Sequence, residues 1–351
     1  MDAISQPPSG AGGAELPFFL VSIDTEGDNI WAQPREVATQ NAAFLYRFQV
    51  LCERYHLRPS YLTNYEMAMS PTFQEFGRHV LKQHTAEIGM HLHAWNTPPL
   101  VSLTADDTRY QPYLIEYPPQ VMKDKVATMT DLLESTFGRK MVSHRAGRWG
   151  FDAYYARLLL EYRYRVDSTV TPYRSWKACP GDPAQAGGTD YSHFPDTAYF
   201  IDLSDIGRAG KSPLLEVPMT IIPAEPHAID PIRRLCPQGS YEVKVMEHIF
   251  PIVHWLRPTG RNLRAMLRIL QQARQGRWQY VQLMLHSSEL MPGGSPTFRT
   301  ANDIERLYAD LEKVFAGVEG TFAGATFEEF YQAVQARQRR ISHRTGGEQS
   351  G

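Results

Sequence analysis

Short segments of the chain are either continuously apolar or alternate between apolar and polar residues, and both patterns predict strands. Residues 18–23, Phe-Phe-Leu-Val-Ser-Ile, are almost continuously apolar, which is typical of a strand buried on both faces. Residues 87–93, Glu-Ile-Gly-Met-His-Leu-His, alternate, so their apolar side chains share one strand face while His91 and His93 share the other. Two imidazoles in this arrangement can reach a common metal ion, and an ordinary polar strand face is the alternative interpretation.

Predicted strands and helices alternate along the chain, which favours parallel βαβ units. A helix over 121–137 ends at Gly138, a residue type that commonly stops helices. The other predicted strands are 59–63, 141–145, 164–168, 214–217 and 280–286, and the other predicted helices are 39–56, 151–162, 261–275, 300–315, 327–338 and one that opens at Pro71.

Two long segments break this alternation. Segment 97–119 contains five prolines and little periodicity, and segment 171–211 is rich in Gly, Pro, Asp and aromatic residues. Long irregular loops in compact domains are usually functional or mobile. We therefore expect both segments to lie near a functional site, while the region 221–258 has no clear pattern.

Composition narrows the class of protein. The 351 residues suffice for one large barrel or two modest domains, and a net charge of -2 gives no reason to expect binding to nucleic acid or to an anionic membrane. Three widely separated cysteines form neither a disulfide framework nor a metal motif. No apolar run reaches the ~20 residues of a membrane span. No pattern indicates an oligomeric state.

The termini differ in composition from the rest of the chain. Residues 1–16 are rich in Gly, Pro and Ser and lack the basic start and apolar segment of a secretory signal. We expect them to form a disordered tail, with 17–338 as a single domain and 339–351 as a polar tail. A cytoplasmic location is the corresponding expectation.

Polar or ionisable residues stand at the C-terminal ends of several predicted strands. The active sites of β/α barrels collect at this rim, so these residues predict one shared site. The strand ends carry Asp24, His91 with His93, Arg145, Asp167 and His286.

Five motifs in this order resemble the NodB-homology polysaccharide deacetylases, carbohydrate esterase family four, over about residues 17–330. They are Ser-Ile-Asp-Thr-Glu, Glu-Ile-Gly-Met-His-Leu-His-Ala-Trp, His-Arg-Ala-Gly-Arg-Trp-Gly, Val-Asp-Ser-Thr-Val-Thr-Pro-Tyr and Leu-Met-Leu-His-Ser. Within that superfamily they most resemble the WalW-type proteins found with surface-polysaccharide genes. The resemblance implies a distorted (β/α)7 barrel that holds one divalent metal ion, usually zinc, and hydrolyses an N-acetyl or sometimes an O-acetyl group on a sugar.

The resemblance also implies a set of metal ligands. Glu26 takes the place of the metal-binding acid, with Asp28 in reserve, and His91 matches the first metal histidine. The family's second histidine lies four residues after the first, where this sequence has Trp95, so His93 would substitute. One carboxylate and two imidazoles leave a fourth position open for water on zinc.

The same resemblance implies an acid–base pair. Asp24 matches the catalytic base, and Arg145 matches the arginine that steers it. His286 matches the general acid, and Asp167 would hold it. Such neighbours would keep the base ionised and favour a protonated imidazole.

Aromatic residues near these motifs are candidates for binding substrate. Trp95, Trp149 and Tyr173 could stack on sugar rings, with ordinary core packing as the alternative. We expect segments 94–119 and 171–211 to build the walls of the sugar cleft.

These inferences predict a metal-dependent deacetylase of surface-polysaccharide biosynthesis, of the O-antigen or lipopolysaccharide type. Its substrate would be an acetylated amino sugar that is nucleotide-linked, lipid-linked or part of an oligosaccharide. Two alternatives stay open: a metal-independent glycosidase that pairs Asp24 with Glu26 or Glu289, and an inactive sugar-binding relative of a deacetylase.

Overall fold

The computed structural model describes residues 16–179, 181–226, 229–236 and 240–347. The predicted N-terminal tail lies outside these residues except at its last position, and so does the end of the predicted C-terminal tail. Among the helices that the structure describes, none combines the length and apolar character that crossing a membrane requires.

The strands are short and mostly buried. They are β1 (Phe18–Thr25), β2 (Ser60–Thr63), β3 (Glu87–Leu92), β4 (Ser143–Ala146), β5 (Val166–Asp167), β6 (Tyr199–Asp202), β7 (Asp205–Ala209), β8 (Leu215–Glu216), β9 (Ile221–Pro223), β10 (Val253–Trp255), β11 (Tyr280–His286) and β12 (Ala323–Ala325).

Helices follow most of the strands, and their apolar stripes pack on the outside of the sheet. They are α1 (Leu45–Arg54), α2 (Tyr65–Met69), α3 (Pro71–Gln83), α4 (Asp107–Tyr110), α5 (Pro119–Phe137), α6 (Ala153–Glu161), α7 (Asp230–Leu235), α8 (Tyr241–Ile249), α9 (Leu263–Gln275), α10 (Ala301–Val318) and α11 (Phe327–Gly347).

The main sheet is built from parallel strands in the order β11-β1-β2-β3-β4-β5-β8. It curls into a half-barrel, and β6 continues it antiparallel to β8. At the seam between β8 and β11, Leu256 donates its N–H to the carbonyl of Thr220 at 3.0 Å and accepts from the N–H of Met284 at 3.1 Å. The predicted α/β class and distorted barrel are confirmed.

Several elements differ from the prediction. Segment 171–211 contains the antiparallel hairpin β6–β7, and segment 97–119 contains the short helix α4. The unassigned region 221–258 forms a two-stranded sheet of β9 and β10, with α7 and α8 between them. Helix α11 continues past Gln338 to Gly347, so the first part of the predicted polar tail is helical.

The register of the parallel strands brings their C-terminal ends to one rim. Asp24 on β1 pairs with His286 on β11, and His91 on β3 pairs with Arg145 on β4. Because all these strands run in the same direction, residues that follow them in sequence meet above the same end of the half-barrel. The predicted rim therefore exists, and the side chains on it define the site.

Candidate active site

Asp24 and Arg145 form a buried ion pair inside the barrel. A guanidinium nitrogen of Arg145 donates to Oδ1 of Asp24, a second donates to Ser22 Oγ at 2.9 Å, and Nε donates to the carbonyl of Ser168 at 2.8 Å. Burial alone would raise the pKa of Asp24, but the positive charge of Arg145 and the nearby imidazoles lower it below its usual value. Asp24 is therefore ionised at neutral pH, as a general base requires.

Glu26, His91 and His93 converge at the rim beside this pair. Glu26 Oε2 lies 3.6 Å from His91 Nε2 and 3.4 Å from His93 Nε2, and the two Nε2 atoms lie 2.9 Å apart. All three residues are buried, and one ligand atom from each lies within 4.8 Å of the others. The predicted ligands are thus brought together.

The donor set fits a divalent metal ion. Glu26 Oε1 is buried and accepts no hydrogen bond from the residues that the structure describes, which is unusual for a carboxylate oxygen. His91 Nδ1 lies 3.0 Å from the carbonyl of Arg145, which favours the tautomer with a lone pair on Nε2. Burial and the neighbouring His91 hold the pKa of His93 well below its usual value, so this imidazole is neutral. Burial would lower the pKa of His91, but the charges of Asp24 and Glu26 raise it above its usual value, so His91 would release its proton when a metal ion binds. A carboxylate and two imidazoles are ligands that zinc prefers.

The reserve ligand Asp28 points elsewhere. Its carboxylate accepts from the backbone N–H groups of Gln40 and Asn41, each at 2.9 Å, and from the Asn41 side chain at 2.6 Å. Asp28 therefore holds the start of the short 3-10 helix that precedes α1, and Glu26 is the acid that faces the histidines.

His286 faces the two acids from the neighbouring strand. Its Nε2 lies 3.9 Å from Asp24 Oδ2 and 3.6 Å from Glu26 Oε1. Its Nδ1 lies 3.1 Å from a guanidinium nitrogen of Arg257 and 3.3 Å from Glu289 Oε2. Glu289 also accepts from the His286 backbone N–H at 2.8 Å and from Arg257 at 3.1 Å. Burial would raise the pKa of Glu289, but Arg257 and His286 lower it to about 2. A permanently ionised carboxylate thus orients His286.

The predicted pairing of Asp167 with His286 is wrong. Asp167 Oδ1 instead lies 2.6 Å from His144 Nδ1, whose Nε2 lies 2.7 Å from the hydroxyl of Tyr155. His144 and Asp167 are in register on β4 and β5, and His144 precedes Arg145 by one residue. Because successive strand residues face opposite sides, Arg145 points into the barrel, while His144 and Asp167 point outward to the helices.

A second carboxylate joins this outer pair. Burial and the charge of Asp167 raise the pKa of Glu216 well above its usual value, so Glu216 is protonated. Burial lowers the pKa of His144 despite the favourable Asp167 charge. This buried cluster supports β4, β5 and β8 from outside the barrel and lies behind the rim that carries Asp24 and Arg145.

The candidate sugar-binding aromatics occupy different environments. Trp95 stacks on His93, with ring centroids 4.4 Å apart and planes 19° apart. Trp149 lies with its ring centroid 5.4 Å from the guanidinium carbon of Arg145 and is half-buried beside the cleft. Tyr173 is exposed, and its hydroxyl donates to Asp196 within the same irregular segment. Trp149 therefore lies beside the Asp24–Arg145 ion pair, whereas Trp95 is engaged with a proposed ligand.

The sequence reasoning missed several groups at the site. The ring of Trp31 meets that of His286 in a T-shaped contact, with centroids 4.9 Å apart, and Trp31 is 39% exposed. Arg257 and the role of Glu289 were also missed. The spacing His-Ser-Ser-Glu at the end of β11 could have indicated Glu289, because a residue three positions into a short helix commonly accepts from its N-cap. Trp31 and Arg257 reach His286 through the fold and leave no local pattern.

Comparison with known proteins identifies the fold but not the family. No protein-family model matches the chain, and no curated protein matches it by sequence. One similar structure is a protein from Parabacteroides distasonis that is named as a glycoside hydrolase/deacetylase, with a TM-score of 0.58. The two sequences are 9% identical, and the alignment covers 90% of this chain and 71% of that chain. A protein named as a polysaccharide deacetylase from Mycobacterium smegmatis is 12% identical, with 95% of this chain and 96% of that chain covered and a TM-score of 0.49. A CE4-family pseudoenzyme from Bacillus anthracis is 7% identical, with 90% of this chain and 66% of that chain covered and a TM-score of 0.40. The chain has the α/β fold of deacetylase-type barrels, and the closer likeness to WalW-type proteins stays a prediction.

Proposed function

We propose that the chain is a metal-dependent hydrolase that removes an acetyl group from an amino sugar. The observation that carries this proposal is the convergence of Glu26, His91 and His93 on one point, with Asp24 Oδ2 4.0 Å from His91 Nε2 and 3.9 Å from His286 Nε2. The proposed metal ligands, base and acid thus lie close enough together to act on one bond, which supports a hydrolytic reaction.

The chain's own residues would divide the chemistry. The three ligands would hold a divalent cation, and zinc prefers donors of this kind. Such a cation would polarise an acyl oxygen and lower the pKa of a water molecule. Asp24, kept ionised by Arg145, would accept a proton from water as its oxygen adds to the acyl carbon. His286, oriented by Glu289, would donate a proton to the sugar nitrogen as the carbon–nitrogen bond breaks. The products are acetate and a free amine.

The substrate would be an acetylated amino sugar carried on a nucleotide, a lipid or an oligosaccharide. Trp149 beside Arg145 and the exposed Trp31 beside His286 offer apolar ring surface next to the proposed acid–base groups, which suits a sugar ring. A role in O-antigen or lipopolysaccharide-type biosynthesis and a cytoplasmic location are proposals that rest on the sequence and its resemblance.

The glycosidase alternative requires one protonated carboxyl group to act as the acid. Neither Asp24 nor Glu289 suits this role, because their arginine partners lower the pKa of both groups below the usual range. Glu26 faces His91 and His93 at 3.6 and 3.4 Å, where it completes the proposed set of metal ligands. Hydrolysis of an acyl group, with a histidine as proton donor, is therefore the better supported reaction.

The test measures metal content and acetate release with the full chain. Purified protein is analysed by elemental mass spectrometry, stripped with chelator and reloaded with zinc. Acetate release is then followed with nucleotide-linked N-acetylhexosamines and with N-acetylated oligosaccharides. We expect one metal ion per chain, and acetate release that disappears on stripping and returns on reloading.

Variants assign the roles. His93→Ala should lose the metal and the activity together, whereas Asp24→Asn should keep the metal and lose about 2 to 4 orders of magnitude in rate. His79→Ala, an exposed histidine on α3, is the matched control and should change neither quantity. A wild-type chain without metal, or full metal occupancy in His93→Ala, would contradict the proposal.

A further inference from the structure

Two neighbours crowd the ring of His93. The indole of Trp95 is stacked on one face, at 4.4 Å between centroids. Gly147 approaches the ring so closely that a Cβ atom at this position would lie 2.4 Å from His93 Cδ2 and 2.5 Å from the carbonyl oxygen of Leu92. Only a residue without a side chain fits there without moving the ring.

The two histidines of the proposed metal site are anchored in different ways. His91 Nδ1 lies 3.0 Å from the carbonyl of Arg145, which sets both the tautomer and the ring angle. His93 Nδ1 is buried and has no hydrogen-bond partner among the residues that the structure describes. Metal-binding histidines almost always have such a partner, because it orients the ring and raises its basicity. Something else must orient His93.

We propose that Trp95 is a positioning residue for His93, which it aims at the metal site by stacking in place of the missing hydrogen bond. The inference rests on the proposed metal site and deepens it. Trp95 covers one face of the imidazole and Gly147 approaches its Cδ2 atom, so the ring has little room to turn. The Nε2 atom is left on the open edge, 3.4 Å from Glu26 Oε2.

The turn that carries Trp95 is itself fixed. The N–H of Thr97 donates to the carbonyl of His93 at 3.2 Å, and the side chain of Asn96 donates to Glu66 at 2.7 Å. Glu66 also accepts from the backbone N–H of Gly27, the residue after Glu26, at 3.3 Å. The turn after β3 and the loop after β1 are thus joined through Glu66, which keeps the stacked pair aligned with the acidic ligand.

This role differs from that of a sugar platform in what it predicts. An indole face that covers His93 is not free to stack on substrate, so removing the ring should weaken metal binding before it affects sugar binding. Loss of a partner that orients a metal ligand typically costs about 10- to 100-fold in metal affinity. We expect a weakening of this size for Trp95→Ala.

The experiment measures the dissociation constant for zinc by competition with a fluorescent zinc chelator, without substrate. Trp95→Ala should bind zinc about 10- to 100-fold more weakly than wild type, and Trp95→Phe should recover most of the affinity because it restores a stacked ring. Gly147→Ala should also weaken binding, because its methyl group displaces His93. Trp278→Ala, which removes a half-buried indole before β11, at the end of that strand away from the rim, is the matched control and should bind zinc as wild type does.

Folding and coordination are checked separately. Circular dichroism of each metal-free variant shows whether it is folded, and Trp95→Leu keeps apolar bulk if Trp95→Ala is unstable. Visible absorption of the cobalt(II)-loaded protein should differ between Trp95→Leu and wild type, because the ligand geometry changes.

The outcomes separate this inference from the proposed function. A wild-type chain that binds no zinc overturns both. Zinc binding by wild type, together with affinities within about threefold for folded Trp95→Ala and Trp95→Leu, overturns only the role of Trp95, since a real orienting contact is worth at least about tenfold.

Discussion

Replacing Asp24 by Asn should destabilise the protein far more than an equivalent change at the surface. Arg145 is 0% exposed and Asp24 is 2% exposed, so neither charge has access to water. Asn keeps an oxygen that can accept from Arg145, and the change therefore removes the charge while keeping the shape. Breaking a buried ion pair on one side typically costs about 3–5 kcal/mol, because the remaining charge has no partner. We expect a loss of that size in the free energy of unfolding.

The pH dependence provides a second check on this prediction. The pKa of Asp24 in the folded protein lies below its usual value, and an unfolded aspartate titrates near about 3.9. A carboxyl group whose pKa falls on folding adds stability above its unfolded pKa, and this stability is lost as the pH falls through the folded pKa. The deficit of Asp24→Asn should therefore be complete at neutral pH and shrink below about pH 4.

Urea unfolding followed by circular dichroism measures the effect, with chelator in every sample so that metal binding does not contribute. The matched control is Glu305→Gln, which breaks the exposed pair of Arg47 with Glu305, whose two contacts are 2.6 and 2.7 Å long. That pair should be worth at most about 1 kcal/mol. The double variant Asp24→Asn/Arg145→Met should lose about 1–3 kcal/mol less than the sum of its single variants.

Equal losses for the buried and the exposed pair would refute this reasoning. So would single and double variants whose losses simply add, because additivity would mean that the two charges do not interact. Either result would also remove the electrostatic reason for assigning Asp24 as an ionised base.

Two further predictions concern groups that support the site. Glu289→Gln should lower the turnover of acetate release by about 100-fold or more and change the pH–rate profile, because His286 loses its charged partner, while the metal content stays unchanged. Steady-state kinetics from pH 5 to 10 measure this, and an unchanged profile would contradict it. Lys125 donates to the carbonyls of Thr97 and Pro99 at 2.6 and 2.7 Å. Lys125→Met should therefore lower the free energy of unfolding by about 1–3 kcal/mol for each carbonyl left unpaired. Hydrogen exchange of residues 94–100 should be faster than in wild type, and unchanged exchange there would argue against this anchor.

The strands that form the barrel could be predicted because burial imposes a simple pattern on them. Both faces of β1 and β3 are buried, and their sequences are correspondingly apolar or alternating. The hairpin β6–β7 could not be predicted because its second strand, Asp-Ile-Gly-Arg-Ala, is mostly exposed and shows no apolar alternation in its sequence. Helix α4 is a single turn capped by Asp106, too short to have a periodicity.

The positions of the rim residues could be predicted from alternation along the strands, but the contacts that depend on neighbouring strands could not. Asp24 and Glu26 are two residues apart, as are His91 and His93, so strand parity alone places each pair on one face. The structure brings all four together. The partner of Asp167 depends instead on how neighbouring strands align, and the sequence does not reveal their register.

The error at Asp167 shows where that limit lies. Asp167 and Ser168 are adjacent at the end of β5, and either could face the barrel on the evidence of position alone. The register of β5 with β4 opposes Asp167 to His144, which lies on the outward side, and leaves Ser168 to contact Arg145 inside. His286 is then oriented by Glu289 from its own chain segment, a contact that needs only the short helix after β11. In strands long enough to alternate, such as β3, the sequence shows which face a side chain takes. Strand β5 has only two residues, so both the face of Asp167 and the neighbour it meets emerge only when the strands are assembled.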